Sequence, residues 1–260
     1  MCDTCGCGHP HDPSHEHGHE HGHTHGHPHA PAHGHPPPVR TIAVQMPALA
    51  LNQRHADQNR GWFRAKGLKT FNLLSSPGSG KTTLLERTLS DLAGEFRMAV
   101  VEGDLQTDND ARRVAATGAQ AVQINTDGGC HLDSNMILTS LESLDLTGVD
   151  ILFIENVGNL VCPVEFDCGE DAKVALLSVA EGDDKPEKYP LLFNLAKAMV
   201  LNKVDLLPYV DFDLARARNF ATKLNKDLDI FEVSCRKGDG LEGWYNWLRS
   251  MRAAKKEGRL

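Results

Sequence analysis

Short, mostly apolar runs recur along the chain and are separated by longer polar segments. Runs of this length are typical of strands that are buried on both faces of a sheet. The predicted strands are Phe71–Leu74, Met98–Val101, Ala121–Ile124, Ile151–Ile154, Val174–Val179, Ala198–Leu201 and Ile230–Val233. Segments with helical spacing fit between most of them, at Thr82–Leu92, Asp108–Ala116, Leu132–Leu141, Asp213–Leu224 and Leu241–Met251. This alternation predicts an α/β fold with a mostly parallel sheet and helices on both faces.

The first 38 residues follow a different pattern. Met1 to Pro38 contains no valine, leucine, isoleucine or aromatic residue, but it holds 12 of the 14 histidines. Such a segment cannot bury enough apolar surface to offset the entropy of ordering, so we expect it to be disordered. Val39 to Ala65 is helix-like and predicts one or two leading helices. We therefore predict a Cys/His-rich tail over residues 1–38 and one α/β domain over residues 39–260.

The charge balance excludes some functions. The 260 residues carry 27 lysines and arginines against 35 acids, a formal net charge of −8. An acidic chain is a poor binder of nucleic acid, which requires a basic face. The sequence has no apolar run long enough to span a membrane and no secretory signal pattern, so we expect a cytoplasmic protein. In a reducing compartment its seven cysteines favour metal binding or catalysis over disulfides.

The segment after the first predicted strand has the pattern of a phosphate-binding loop. Ser75 to Thr83 matches G-x-x-x-x-G-K-[ST], except that serine replaces the first glycine. Glycines let consecutive backbone N–H groups converge on phosphate oxygens, lysine reaches the β and γ phosphates, and the following hydroxyl binds Mg²⁺. The predicted nucleotide-binding residues here are Gly78, Ser79, Gly80, Lys81, Thr82 and Thr83, with Lys81 also catalytic.

A second motif indicates which base is bound. Asn202, Lys203 and Asp205 form an N-K-x-D pattern at the end of a predicted strand. An aspartate there can accept hydrogen bonds from the N1–H and amino group of guanine, a donor pair that adenine lacks. Ser234 and Cys235 follow the last predicted strand and can back the edge of the base. We therefore predict GTP as the nucleotide.

Acidic residues at strand ends are candidates for holding Mg²⁺ and orienting water. Glu155 ends one predicted strand, where a D-x-x-G switch would lie, and Gly158 could contact a γ phosphate. Asp104 follows another strand and is the preferred second acid. Asp108 and Asp110 compete with it, and the alternative interpretation of these two is that they are solvated loop acids. Asp104 and Glu155 are therefore predicted to be catalytic, together with the lysine of the phosphate loop.

The extreme N-terminus carries a candidate metal site. Cys2, Cys5 and Cys7 form C-x-x-C-x-C, and three soft thiolates at this spacing can bind Ni²⁺, Cu⁺ or Zn²⁺ without a fold. A disulfide is the alternative interpretation. The neighbouring histidines suit Ni²⁺, Cu²⁺ and Zn²⁺ and provide capacity rather than selectivity.

A second candidate metal site lies within the domain. Cys130 and His131 follow a pair of glycines, and Cys162 lies four residues after the switch glycine. A cluster of these three residues could respond to the bound nucleotide. Taken singly, a buried cysteine is more often an inert apolar side chain. Cys235 belongs to that ordinary class, as does Cys168, although Cys168 is close enough in sequence to Cys162 to be an extra ligand.

Taken together, these motifs resemble the hydrogenase nickel-incorporation GTPases of the HypB family. The motifs are C-x-x-C-G-C, the histidine tract, Ser75 to Thr83, Cys130-His131, Glu155 to Cys162 and Glu181 to Pro186. The likeness extends from Met1 to about Trp247. One departure is Arg236, which stands where many GTPases carry lysine.

The resemblance implies an activity, partners and site roles. It implies hydrolysis of GTP to GDP and phosphate, coupled to nickel delivery to the large-subunit precursor of [NiFe]-hydrogenase with a HypA-type nickel chaperone. It also implies a homodimer favoured by GTP or metal. Cys2, Cys5 and Cys7 would be the high-affinity nickel site. Cys130, His131 and Cys162 would bind Ni²⁺ or Zn²⁺ at the dimer interface.

Two other functions remain open. The first is a related metallochaperone GTPase for urease or zinc, although those families generally lack the N-terminal cysteine triplet. The second is a nickel store with a vestigial nucleotide site, which the intact Lys81-Thr82 pair and N-K-x-D motif disfavour.

The histidine tract predicts a pH-dependent metal capacity. Imidazole with an unperturbed pKa of about 6.5 must be neutral to bind a metal. The Ni²⁺ stoichiometry of the chain, measured by equilibrium dialysis, should therefore fall steeply between about pH 7 and pH 5. Equal stoichiometry at the two pH values would exclude the tract as the store.

Overall fold

A computed structural model of the chain describes residues 45–104 and 109–256. The predicted tail, with Cys2, Cys5, Cys7 and the histidine tract, lies outside these residues, as does Asp108. The strands are β1 Lys69–Ser75, β2 Met98–Asp104, β3 Gln120–Asn125, β4 Ile151–Glu155, β5 Ala172–Ser178, β6 Ala198–Asn202 and β7 Asp229–Glu232.

The strands form one parallel sheet in the order β3-β2-β4-β1-β5-β6-β7. Strand β1 lies at the centre, paired in parallel with β4 from Lys69 opposite Ile151 and with β5 from Phe71 opposite Ala172. Because all the strands run in one direction, their carboxyl ends meet at one edge of the sheet. The phosphate loop and the segments with Cys130, His131, Lys203 and Ser234 lie at that edge, where an open α/β sheet binds its ligands.

Helices cover both faces of the sheet, which confirms the predicted fold class. The helices are α1 Gln45–Ala65, α2 Lys81–Asp91, α3 Asn109–Ala115, α4 Ser134–Ser140, α5 Cys162–Glu165, α6 Lys185–Lys188, α7 Pro190–Leu195, α8 Leu214–Leu224 and α9 Leu241–Lys256. Phe71 and Leu73 face a core that includes Leu85 of α2 and Trp244 of α9. Leu74, the next residue along β1, faces the opposite core. This alternation is the expected result of a strand buried on both faces.

Several predicted boundaries shift by one or two residues. The helix predicted at Leu132–Leu141 begins only at Ser134, because Asp133 caps it by accepting a hydrogen bond from Met136 N at 2.7 Å. The predicted strand Val174–Val179 ends at Ser178, and a 3₁₀ helix, Val179–Glu181, follows.

Side chains of helix α1 form hydrogen bonds with two loops, the one before α4 and the one before β5. Asn59 Nδ2 donates to Ser134 O at 2.7 Å and to Cys168 O at 3.1 Å. Asn52 Oδ1 accepts from Ser134 N at 2.9 Å, and Asn52 Nδ2 donates to Asp167 O at 2.8 Å. Both asparagine side chains are buried. Hydrogen bonds between buried groups of this kind fix the position of the helix more specifically than apolar contact alone.

No helix within residues 45–104 and 109–256 is long and apolar enough to cross a membrane.

Two glycines provide a matched test of the fold. Gly240 has φ +72°, and a Cβ there would overlap the Glu232 carbonyl oxygen. Gly240→Ala should therefore cost at least about 2 kcal/mol of unfolding free energy. Gly61, inside α1, has open space around it. Gly61→Ala should stabilise by about 0.5–1 kcal/mol, because alanine is the better helix former. Urea denaturation measures both changes, and equal effects would contradict this packing.

Candidate nucleotide and metal site

The phosphate loop connects the end of β1 to the start of α2. Gly78 and Gly80 have φ of +77° and +98°, the left-handed region that only glycine enters without strain. Ser75, which replaces the first glycine of the motif, is the last residue of β1 and does not have a positive φ. Its hydroxyl accepts from Lys81 Nζ at 2.8 Å and donates to Ser76 O at 2.8 Å. Serine is therefore compatible with this position, and it orients the lysine.

Asn202 connects the phosphate loop to the base-binding segments. Its Nδ2 donates to Ser79 O at 3.0 Å, and its Oδ1 accepts from Cys235 N at 3.2 Å. A Cβ on Gly80 would lie 2.5 Å from Asn202 Nδ2, so only glycine allows this approach. Three segments that are far apart in sequence are thus fixed against one another.

A pocket of about 360 Å³ lies beside these contacts and is lined by Asn202, Lys203, Asp205, Cys235 and Arg236, among others. Asp205 Oδ1 accepts from the Ser234 hydroxyl at 2.7 Å. This hydrogen bond lowers the pKa of Asp205, so the carboxylate is ionised at neutral pH and can act as an acceptor. Lys203 Nζ donates to Gly78 O at 2.7 Å, so its side chain crosses from the base pocket to the phosphate loop.

A larger cleft of about 460 Å³ opens over the phosphate loop. It is lined by Gly78, Gly80, Lys81, Thr82, Thr83, Glu102, Arg113, Glu155 and Gly158, among others. The Thr82 hydroxyl donates to Glu155 Oε1 at 2.8 Å. A hydroxyl and a carboxylate in contact beside a phosphate loop form the hard oxygen set that Mg²⁺ prefers, so the residues fit this ion.

Glu102 and Arg113 also line this cleft, although neither belongs to a motif recognised in the sequence. Glu102 is 2% exposed and pairs with Glu155 in the register of β2 and β4. The signal that could have identified Glu102 is an acid directly after the apolar run Met98–Val101. Arg113 forms an ion pair with Glu86 at 2.6 Å. Asp104 is the last residue of β2, and its predicted catalytic role remains a prediction.

The predicted switch segment contacts the phosphate loop directly. A Cβ on Gly158 would lie 3.0 Å from the Cα, N and Cγ atoms of Pro77. Any larger residue at position 158 would therefore press on the backbone of the loop. All four residues from Glu155 to Gly158 line the phosphate cleft.

Cys130, His131 and Cys162 come together at the carboxyl edge of the sheet. Their Sγ and ring nitrogen ligand atoms lie within 4.8 Å of one another, and all three residues are half-buried. Cys130 Sγ lies 3.5 Å from His131 Nδ1. The His131 ring lies against the Phe166 ring, with centroids 3.8 Å apart and the planes tilted by 33°. Burial lowers the pKa of His131, which favours the neutral imidazole that binds metals.

Cys168 does not join this cluster. Its side chain is fully buried, and Cys168 Sγ contacts Leu132 O at 3.6 Å. Burial raises the pKa of this thiol well above its ordinary value. Cys168 is therefore an inert buried cysteine, and the expectation that it could be an extra ligand is not met in this arrangement.

The parallel sheet, phosphate loop and adjacent thiol–imidazole cluster define a P-loop nucleotide-binding protein with a candidate metal centre. Residues 69–232 match the family model described as the CobW/HypB/UreG nucleotide-binding domain. The chain belongs to this family, and the relatives described next place it among the HypB hydrogenase maturation factors, as the motifs indicated.

Curated and solved relatives agree with this assignment. The hydrogenase maturation factor HypB of Escherichia coli K12 is 51% identical over 215 residues, covering 83% of this chain and 74% of the relative. The hydrogenase/urease maturation factor HypB of Helicobacter hepaticus is 40% identical, covering 82% and 89%. The crystal structure of HypB from Helicobacter pylori in complex with nickel is 39% identical, with a TM-score of 0.75, covering 80% of this chain and 97% of that one.

The exposure of the thiols predicts their reactivity. Cys130 and Cys162 are half-buried, whereas Cys168 and Cys235 are buried. Burial raises the pKa of Cys235 to about 12, so almost no thiolate forms there. In the native protein, iodoacetamide should modify Cys130 and Cys162 and spare the other two, as measured by peptide mass spectrometry. Excess Ni²⁺ should slow the first two reactions. Similar labelling of all four before denaturation would contradict this arrangement.

Proposed function

We propose that the protein is a GTP-hydrolysing nickel metallochaperone that stores nickel and delivers it to the [NiFe]-hydrogenase large-subunit precursor during maturation. The observation that carries the proposal is one continuous segment that serves both sites. Glu155 contacts Thr82, Gly158 packs on Pro77, and Cys162 lies in the thiol–imidazole cluster. A segment that borders both a phosphate cleft and a metal cluster suits a protein that controls metal release by nucleotide state.

The nucleotide chemistry of the proposal follows from the cleft. Lys81 supplies positive charge to the β and γ phosphates, and Thr82 with Glu155 would hold Mg²⁺, which neutralises charge on the same oxygens. Asp104 and Glu102, both on β2, are the candidates for orienting the attacking water. Gly78, Ser79, Gly80 and Thr83 surround the phosphates. Hydrolysis then gives GDP and phosphate.

The base pocket supports guanine. Asp205 presents an ionised carboxylate for the N1–H and amino donors, and Lys203 can lie along the ring. The hydrogen bond from Cys235 N to Asn202 Oδ1 joins the N-K-x-D motif to the segment after β7. Ser234 holds the carboxylate in place. An adenine would leave Asp205 facing an acceptor, which is the basis for the proposed preference for GTP.

The metal site is proposed to bind its cargo, Ni²⁺, or Zn²⁺ in its place. Cys130, His131 and Cys162 provide three ligands, one fewer than the four common for Zn²⁺. The neighbouring Val161 is 56% exposed, so the cluster lies at an accessible surface. A homodimer favoured by GTP or metal would bring two such surfaces together.

The remaining parts of the proposal concern partners and location. A HypA-type nickel chaperone would exchange nickel with the protein, and the hydrogenase large-subunit precursor would receive it. Cys2, Cys5 and Cys7 would form a high-affinity nickel site, with the histidine tract as the store. The setting is the cytoplasm, where these thiols stay reduced.

Maturation of urease is the second candidate function. It is favoured by one observation, the relative from Helicobacter hepaticus whose name includes both hydrogenase and urease. Assays of both nickel enzymes in one strain would separate the two functions. A simple nickel store would need no GTP turnover.

Complementation tests the proposed function. In a strain that lacks its own maturation GTPase of this type, the parent chain should restore hydrogenase activity at low nickel. Lys81→Ala and Cys162→Ala should lower it by at least about tenfold, the first through loss of phosphate stabilisation and the second through loss of a metal ligand. The exposed Lys226→Ala is the matched control. Full activity with Lys81→Ala would reject a role for GTP hydrolysis.

Base specificity is tested at Asp205. In Asp205→Asn the side chain gains an N–H donor, which meets the 2-oxo acceptor of xanthine in place of the guanine amino group. The variant should lose about tenfold or more in GTP affinity and gain affinity for xanthosine triphosphate, because its amide donor would face the donor groups of guanine. Fluorescent nucleotide titration measures both, with the exposed Asp227→Asn as control. Unchanged guanine preference would reject this assignment of the pocket.

A further inference from the structure

Asn156 lies between the phosphate cleft and the metal cluster. It directly follows Glu155, the last residue of β4, and precedes Val157 and Gly158, and all of these residues line the cleft. Its side chain is 1% exposed. In the sequence this position is only part of the switch motif, and the motif assigns its side chain no role.

The Asn156 carboxamide holds backbone groups from two different loops. Asn156 Oδ1 accepts from Val157 N at 3.0 Å, in the switch segment, and from Leu132 N at 3.0 Å. Leu132 directly follows His131 of the metal cluster. Asn156 Nδ2 donates to Asn72 Oδ1 on β1 at 3.2 Å. A single oxygen thus joins the nucleotide side to the metal side.

We propose that Asn156 is a positioning residue that transmits the nucleotide state from Gly158 to His131. This inference rests on the proposed function, since it requires a nucleotide in the cleft and a metal at the cluster. A shift of the Val157–Gly158 backbone toward a γ phosphate must either carry Leu132 with it or leave a buried N–H without its acceptor. Unsatisfied buried groups are costly, so the backbone after His131 follows.

This shift would change the distances between the metal ligands, because the ligands come from both segments. His131 moves with Leu132, whereas Cys162 lies on the far side of Gly158 at the start of α5. Asn159 Nδ2 adds a second contact, to Cys130 O at 3.3 Å, which is longer and only half-buried. Asn156 is therefore the stronger of the two connections.

A nickel titration tests the inference. The full chain carries Cys2→Ser, Cys5→Ser and Cys7→Ser, so that the thiolate-to-Ni²⁺ charge-transfer absorption reports the cluster at Cys130 and Cys162. Titrations with Ni²⁺ are run with GDP and with a non-hydrolysable GTP analogue. The histidine tract competes equally in both states, so the ratio of the two apparent affinities remains interpretable. We expect a ratio of at least about fivefold in this parent chain.

Variants of Asn156 and Asn72 distinguish a role in transmitting the nucleotide state from a role in stability alone. Asn156→Ala should bring the ratio to about one while both nucleotides still bind. Asn156→Asp keeps the accepting oxygen and should restore the ratio. Asn72→Ala loses the hydrogen bonds of Asn72 with Asn156 and Glu170 but leaves the Leu132 contact, and should keep the ratio. If Asn156→Ala does not fold, as judged by thermal unfolding, Asn156→Ser takes its place, because its side chain is too short to reach Leu132.

Three results would overturn the inference. They are a full ratio in Asn156→Ala, loss of the ratio in both Asn156→Ala and Asn72→Ala, or no ratio in the parent. GTP turnover and nickel stoichiometry measured on the same samples keep the proposed function separate. A parent that hydrolyses GTP and binds nickel equally in both states rejects only the inference, whereas a parent without turnover rejects the proposed function as well.

Discussion

The hydrogen bond from the Thr82 hydroxyl to Glu155 connects the phosphate side of the site to the metal side. Thr82 is near the start of α2 and Glu155 is the last residue of β4, so the bond fixes the helix that carries the phosphate loop against the strand that leads to the metal ligands. Hydrogen bonds to charged groups contribute about 1.5–3 kcal/mol, more than a neutral pair. The contacts of Gly158 with Pro77 and of Asn202 with Ser79 hold the same loop at two further points.

The parallel sheet explains why residues far apart in sequence meet here. Strands β4, β1, β5 and β6 are adjacent, so the loops after them lie side by side. Helix α1 adds a constraint from outside the sheet. Asn52 and Asn59 hold Ser134, and a Cβ on Gly169 would lie 2.8 Å from Ala56 O. Helix α1 thus holds the loop that carries His131 through Ser134.

The fold and the phosphate loop could be predicted from sequence because their signals are local. Apolar runs, glycines and the lysine-threonine pair of the loop lie within a few residues of one another. The approach of Cys130, His131 and Cys162 was an expectation of the motifs, and the described residues bring these three together. Glu102 was missed because its place in the cleft depends on the pairing of β2 with β4, which the sequence does not encode locally. The hydrogen bonds made by α1 and by Asn156 depend in the same way on contacts between distant segments, and no spacing rule indicates them.

Ser75 has a consequence for the way the site recognises phosphate. Its hydroxyl fixes the amino group of Lys81 within the folded protein. A buried lysine side chain loses about 1.5–2 kcal/mol of rotamer entropy when it is ordered. With serine at this position, that loss occurs when the chain folds and not when a phosphate arrives. Glycine at the first loop position would provide backbone freedom. Serine at this position instead provides a lysine that is ordered before phosphate binds.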